Sequence, residues 1–125
     1  VVAVIFTHSH VDHFAGIDAV LPPPGPARDG LRIIAPRAFL EEATSENVYA
    51  GTAMGRRASF MYGMPLARSE RGHVDTGLGK QPARGTIDIA EPTELVDHTP
   101  QEMEIDGVRF VFQYAPDSEA PAELA

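Results

Sequence analysis

The sequence has no cysteine among its 125 residues, and its cationic side chains are few. Without cysteine there is neither a disulfide bond nor a thiolate ligand for a metal ion. Ten Lys and Arg residues stand against 18 Asp and Glu residues, and the formal net charge of −8 argues against binding to nucleic acid or an anionic membrane. An anionic small molecule remains compatible with this charge, because bound divalent cations can dominate the local field.

The sequence also has no apolar run long enough to span a bilayer and no recognisable signal peptide. It begins at Val1, inside an apolar stretch and without an initiator methionine, and it stops at Ala125 soon after a carboxylate-bearing segment. We therefore expect a fragment of a larger protein, truncated at both ends. The missing signal peptide then leaves localisation open.

Three histidines and an aspartate are crowded directly after the apolar stretch 1–6; they are His8, His10, Asp12 and His13. Imidazoles and a carboxylate side by side are unfavourable unless a positive ion balances them, so the crowding indicates a metal centre. Side chains two positions apart on an extended chain point the same way, so His8 and His10 can bind one ion together. A turn into a helix near Asp12 would bring Asp12 and His13 to a second ion. Two ions about 3.5–4 Å apart are a common arrangement for displacement at an ester.

The rest of the sequence alternates strand and helix signals, which predicts a layered α/β domain. Strands are predicted over residues 1–7, 31–35, 87–90 and 94–96. Helices are predicted over 14–21, from Pro36 onward and over 48–62, the last with a buried side that includes Ala53, Met54 and Met61. Asp106-Gly107 predicts a two-residue hairpin turn between 102–105 and 108–114. His73 and His98 lie in polar surroundings and are predicted to be solvent-exposed.

The motif His8-x-His10-x-Asp12-His13 is typical of the metallo-β-lactamase superfamily. Residues 45–63, with Glu46-Asn47-Val48-Tyr49-Ala50-Gly51, and residues 112–123, with Ser118-Glu119-Ala120-Pro121-Ala122-Glu123, resemble the alkyl sulfatase branch of that superfamily. Gly77-Leu78-Gly79 and the Asp106-Gly107 hairpin resemble it as well. The resemblance covers nearly the whole chain. It implies that residues 1–125 are a partial αββα sandwich, a fragment of a single metallo-β-lactamase-like catalytic domain.

The resemblance also implies a ligand set. His8 and His10 match ligands of a first zinc ion, and Asp12 and His13 match ligands of a second. Glu119 matches the carboxylate that alkyl sulfatases use at the first zinc, where most superfamily members use a histidine. Glu123 is the alternative to Glu119. The other ligands and the sulfate-binding residues would lie beyond Ala125, so no substrate-binding residue is assigned.

The function implied by the resemblance is zinc-dependent hydrolysis of sulfate esters, such as long-chain alkyl sulfates, by a metal-activated water that Asp12 orients as the catalytic residue. The expected cofactors are two zinc ions, and the expected partner is a small-molecule sulfate ester, with a homodimer in the full-length protein. Export to the periplasm or the medium is favoured over the cytoplasm. Three alternatives remain open: another hydrolase of the superfamily (a thioesterase or lactonase), a di-iron oxidoreductase on the same fold, and an inactive remnant.

Overall fold

A computed structural model of the chain describes residues 1–77, 79–82 and 85–125. Leu78 of the Gly-Leu-Gly segment therefore lies outside the described residues. The chain forms two compact units. We call the first, Val1–Thr44 with Thr86–Ala125, the sheet unit, and the second, Ser45–Gly85, the helical unit.

The sheet unit contains three parallel strands in the order in which they occur along the chain: β1 (Ala3–Ile5), β2 (Arg32–Pro36) and β3 (Glu94–Val96). Ile5 pairs with Ile34 across β1 and β2, and Ile34 pairs with Glu94 across β2 and β3. Parallel strands need crossover connections. The connection from β1 to β2 contains three short helical segments, namely α1 (Val11–Phe14), a 3-10 turn (Ile17–Ala19) and α2 (Pro26–Asp29). The helix α3 (Phe39–Thr44) follows β2.

The antiparallel hairpin predicted around Asp106-Gly107 is confirmed. It consists of β4 (Gln101–Ile105) and β5 (Val108–Phe112). Both turn residues have positive φ angles, 51° at Asp106 and 75° at Gly107. Such a turn matches the right-handed twist of the two strands, which is why Asp-Gly is a strong hairpin signal.

The central strand β2 separates two hydrophobic clusters in the sheet unit. Ile33 and Ala35 face a cluster that includes the aromatic residues Phe6, Phe14 and Phe39. Ile34, one position out of phase, packs with a second cluster made by β3, the hairpin and the end of the chain: Val96, Ile105, Phe112 and Leu124. Side chains alternate along a strand, so neighbouring residues of β2 face opposite sides of the sheet. Helical segments cover one of these faces, and the hairpin covers the other. The predicted mixed α/β class is confirmed.

The helical unit begins with a π-helical turn, Ser45–Tyr49, that continues into α4 (Gly51–Met61). The predicted helix over 48–62 is therefore present in outline, but its predicted buried side is wrong. No residue of α4 is buried, and Met61 is 57% exposed. An apolar stripe in a sequence shows which side of a helix can be covered, but it does not show what covers it.

Several local predictions differ from the structure. The strand predicted over 87–90 is absent, and Val1 and Val2 are exposed beside the short strand β1. Pro36 ends β2 instead of opening a helix, and Ala38, with φ of 67°, turns the chain into α3. The helix predicted over 14–21 is replaced by α1, which ends at Phe14, and the 3-10 turn.

The two outlying histidines differ from each other. His98 is exposed, as predicted, whereas His73 is buried in the helical unit, which contradicts its predicted exposure. Among the described residues, no helix combines the length and the apolar character needed to cross a membrane.

Candidate metal centre

The histidine motif leaves the carboxyl end of β1 as an extended chain and then turns into α1. His10 caps α1 in an extended conformation, with φ of −70° and ψ of 138°, and the helix begins at Val11. The N–H of His13 donates to the carbonyl of His10 over 3.0 Å. His8 is buried and His10 is partly buried. The backbone therefore follows the extended-then-helical path predicted from the spacing.

The end of the chain returns to this motif and brings Glu119 with it. Residues His8 and Glu123 form an antiparallel bridge, and the N–H of Leu124 donates to the carbonyl of Thr7 over 2.8 Å. On its other side this segment pairs with the chain that follows β5, where the N–H of Ala115 donates to the carbonyl of Glu123 over 3.0 Å. Two parts of the sequence that are far apart thus meet at the carboxyl end of β1.

His8, His10 and Glu119 form the candidate first metal site. One possible ligand atom from each residue lies within 4.8 Å of the other two. The carboxylate Oε1 of Glu119 is 4.0 Å from Nδ1 of His10, and the rings of His8 and His10 are 4.9 Å apart between centroids in an edge-to-face arrangement. Two imidazoles and one carboxylate are donors that suit zinc and other divalent first-row metals.

The ring of His8 has one nitrogen engaged and one without a partner. Its Nδ1 is hydrogen-bonded to Oγ1 of Thr7 over 3.0 Å. Its Nε2 is buried and has no hydrogen-bond partner within the described part of the chain. Burial lowers the pKa of His8, the neighbouring His13 and His10 lower it further, and Glu119 and Glu123 oppose this shift. The resulting preference for a neutral imidazole is the one that metal binding needs.

Asp12 and His13 lie beside this group. The ring centroid of His13 is 4.1 Å from that of His8, and Nε2 of His13 is 3.5 Å from Oδ2 of Asp12. Both side chains are open to solvent, 74% exposed for Asp12 and 47% for His13. The structure therefore brings together all four residues of the motif and Glu119, although the binding of a second ion by Asp12 and His13 stays a prediction.

Glu123, the alternative to Glu119, is engaged elsewhere. Its Oε2 lies within hydrogen-bond distance of three donors: the backbone N–H groups of Glu119 (2.7 Å) and Ala120 (3.0 Å) and the hydroxyl of Ser118 (2.8 Å). The bond from Ala120, followed by that from Ser118, lowers the pKa of the Glu123 carboxyl group. The geometry therefore favours Glu119 as the first-site carboxylate.

Two residues at the site were not singled out from the sequence. The sequence predicts Thr7 only as the end of a strand, because its contact with His8 depends on the orientation of the imidazole, which no sequence pattern specifies. Ser9 is fully buried between the two histidines, and its hydroxyl has no hydrogen-bond partner in the part of the chain that is described. The alternation of strand side chains could have indicated that Ser9 faces away from His8 and His10.

No protein-family model matches the chain. A linear primary-alkylsulfatase of Pseudomonas sp is 48% identical over 124 residues, which cover 99% of this chain and 18% of that protein. The alkyl/aryl-sulfatase BDS1 of Saccharomyces cerevisiae is 45% identical over 121 residues, 97% of this chain and 19% of that protein. This chain is homologous to alkylsulfatases along its length. The resemblance to alkyl sulfatases inferred from the sequence motifs is thereby confirmed.

Solved alkylsulfatase structures agree with this homology. The sec-alkylsulfatase Pisa1 from Pseudomonas sp., described as stereoselective and inverting, superposes with a TM-score of 0.84 at 35% identity, over 98% of this chain and 20% of that one. A double mutant of the same enzyme superposes with a TM-score of 0.84 at 37% identity, over 99% of this chain and 20% of that one. The chain spans about a fifth of the length of the curated alkylsulfatases that it matches.

Proposed function

We propose that the protein hydrolyses sulfate esters of alkyl alcohols at a centre of two zinc ions. The observation that carries this proposal is the meeting of buried His8 and partly buried His10 with Glu119, within 4.8 Å, in a chain homologous to alkylsulfatases. Those relatives are named for primary and secondary alkyl sulfates, so the substrate class proposed here is the alkyl sulfate ester.

The residues fit a divalent metal ion. The buried Nε2 of His8 has no acceptor or donor among the described residues, and an unpaired buried polar atom is unfavourable unless a ligand completes it. His8, His10 and Glu119 would hold the first ion, while Asp12 and His13 would hold the second. When bound, such ions supply Lewis acidity toward the sulfate ester and make a coordinated water acidic near neutral pH.

The side chains at the centre have different proposed roles. As metal ligands, the imidazoles of His8 and His10 would provide nitrogen donors without adding charge, and the carboxylate of Glu119 would provide a negatively charged oxygen donor. We assign Asp12 the catalytic role of orienting a water molecule, and its exposure of 74% supports this role because solvent reaches its carboxylate. The net charge of −8 would repel an anionic ester at a distance, so attraction has to arise locally at the centre.

The finer fold and assembly are part of the same proposal. Helical segments, a parallel sheet and a hairpin form successive layers in the sheet unit, and we infer that they belong to an αββα sandwich. We further propose that residues 1–125 belong to a single catalytic domain and that the full-length protein is a homodimer. Both statements rest on the resemblance to alkyl sulfatases.

The test is a substrate panel combined with metal analysis, performed on the protein in its full natural length. We expect release of inorganic sulfate from a long-chain primary or secondary alkyl sulfate, together with two zinc ions per chain. Hydrolysis confined to a thioester or a lactone would overturn the sulfatase assignment, and iron with a flavin requirement would indicate an oxidoreductase instead. The absence of any turnover with only one weakly bound zinc would identify an inactive remnant.

Two variants assign the activity to the centre. His10→Ala and Glu119→Gln should each lower the zinc content and abolish turnover, because the first removes a nitrogen donor and the second replaces a charged oxygen donor by a weaker neutral one. Glu41→Gln, which changes an exposed carboxylate on α3, is the matched control and should behave like the wild type. Full turnover in His10→Ala would refute the proposed site.

A further inference from the structure

We propose that Glu123 is a positioning residue, whose side chain holds the turn 118–123 in the shape that directs Glu119 toward His8 and His10. This inference rests on the proposed function, since it concerns how the first metal site is built. Glu123 is then not itself a metal ligand but supports the ligand Glu119.

The first support is the set of bonds to one carboxylate oxygen. Oε2 of Glu123 accepts from the N–H of Glu119 and from the N–H of Ala120. The hydroxyl of Ser118 is near both Oε2 of Glu123 and the carbonyl of Ala115, at 2.8 Å and 2.6 Å, and with one proton it donates to one of them at a time. The two backbone bonds to an ionised acceptor are therefore the lasting ones, and charge assistance makes them stronger than bonds between neutral groups.

The second support is the anchoring of the Glu123 backbone. Glu123 bridges His8, and its carbonyl accepts from the N–H of Ala115. The same residue is thus attached through its main chain to the strand end that carries His8, and through its side chain to the backbone of Glu119. This connection relates the position of the Glu119 carboxylate to the position of the His8 imidazole.

The third support is the exposure of Glu119 itself. Its side chain is 65% exposed, whereas the following Ala120 is 2% exposed, so packing holds only one side of the turn. Ordering an exposed segment costs backbone entropy. Bonds from Glu123 stabilise the ordered turn before the ion arrives, so less of this cost falls on metal binding.

A zinc titration against a competing chelator tests the inference in the full-length protein. Glu123→Ala should lower zinc affinity about 10–100-fold, the range expected when a partner of a metal ligand is removed. Glu123→Gln should recover much of the loss, because an amide oxygen can accept the same two backbone bonds. Glu119→Gln should bind zinc more weakly than Glu123→Gln, and the control Glu41→Gln should equal the wild type.

Two results of the titration would overturn the inference. Wild-type zinc affinity in Glu123→Ala would show that the turn needs no such support. Equal losses in Glu123→Gln and Glu123→Ala would show that the negative charge or direct coordination matters, as for a ligand, because an amide would then be no substitute for the carboxylate.

A measurement on the metal-free protein keeps the inference separate from the proposed function. Amide hydrogen exchange at Glu119 and Ala120 should accelerate in Glu123→Ala and stay unchanged in Glu119→Gln, which keeps both backbone bonds. If exchange in Glu123→Ala equals that of the wild type, the positioning role fails while the metal centre can still stand. If the wild type binds no zinc, the proposed function fails, and with it this role. Should Glu123→Ala not fold, the two glutamine variants decide: a smaller loss of zinc affinity in Glu123→Gln than in Glu119→Gln supports the positioning role, and an equal or larger loss overturns it.

Discussion

The hydroxyl oxygen of Thr7 lies 3.0 Å from Nδ1 of the adjacent, buried His8. When Nδ1 carries the proton and donates it to this hydroxyl, Nε2 keeps its lone pair and the ring is held in one orientation. Metal-binding histidines commonly have such a partner at the second nitrogen, which sets both the tautomer and the direction of the ring. Thr7 would therefore orient His8 for the metal ion proposed at this site.

Replacing Thr7 by valine should lower zinc affinity about tenfold, the lower end of the range for partners of metal-binding residues, because water can reach this exposed hydroxyl position. The side chains are nearly equal in volume, so packing changes little. Thr7→Ser should restore the affinity, and Thr52→Val, at an exposed position of α4, is the matched control. Competition titration with a chelator provides the measurement. An affinity in Thr7→Val equal to that of the wild type would contradict the prediction.

Phe39→Ala should destabilise the sheet unit by about 3–5 kcal/mol. Phe39 is 1% exposed, its ring stacks on Phe6 with centroids 4.7 Å apart, and it meets the edge of Phe14 at 5.6 Å. Truncation removes these contacts and leaves a cavity among helices and strands. Phe60→Ala is the matched control, because Phe60 is 80% exposed and should change stability by less than about 0.5 kcal/mol. Urea unfolding measures both, and equal midpoints for the two variants would refute the packing argument.

Gly107→Ala should destabilise the hairpin by about 1–2 kcal/mol. Gly107 has φ of 75°, and an added Cβ would meet nothing within 4 Å, so the whole effect arises from the backbone conformation. Gly16 offers the matched comparison, since a Cβ there also meets nothing and φ is −88°. Thermal unfolding of Gly16→Ala should show no loss of stability. A similar loss in both variants would indicate that backbone conformation is not the cause.

The ion pair of Arg32 with Glu94 should make stability depend on pH in the acid range. Nη2 of Arg32 donates to Oε2 of Glu94 over 2.8 Å, and Nε donates to Oε1 over 2.5 Å. This bidentate bond lowers the pKa of Glu94 below its ordinary value. The pair joins β2 to β3 and is only partly exposed, 33% for Arg32 and 35% for Glu94. Solvent therefore screens it less than a fully exposed pair.

The lowered pKa of Glu94 determines the direction in which stability changes with pH. Because the pKa of Glu94 is lower in the folded protein, its contribution is fully present above the ordinary glutamate pKa and is lost as the pH falls through the folded value. Glu94→Gln should be less stable than the wild type at pH 7, and the difference should vanish in strong acid. Glu102→Gln, which breaks the more exposed pair with Arg109, should show a smaller effect. Urea midpoints across the acid range measure this, and a pH-independent difference for Glu94→Gln would disprove it.

Much of the site was predictable because its geometry is local. His8, His10, Asp12 and His13 lie within six positions, and the rules for extended and helical chain place them at one strand end. The hairpin at Asp106-Gly107 was predictable for the same reason, since backbone dihedral preferences of two residues determine it. The mixed α/β class followed from alternating signals along the chain.

Other features could not be predicted because they depend on residues far apart in the sequence. The buried state of His73 and the uncovered side of α4 depend on what packs nearby, which neither periodicity nor polarity reveals. The choice between Glu119 and Glu123 depended on which carboxylate the turn engages in its own hydrogen bonds. A resemblance to alkyl sulfatases favoured Glu119, but only the bonds to Glu123 explain the difference physically.

The sequence by itself determined the chemistry of the candidate centre, namely three imidazoles and carboxylates at the end of a strand. This was possible because residue types and short-range backbone geometry depend only on neighbouring positions in the sequence. The tertiary structure decided which distant carboxylate meets them, which hydroxyl holds His8 and which glutamate shapes the turn. Those choices depend on the return of residues 123–125 to the end of β1, and that return is made by hydrogen bonds and packing between residues that are neighbours only in the folded protein.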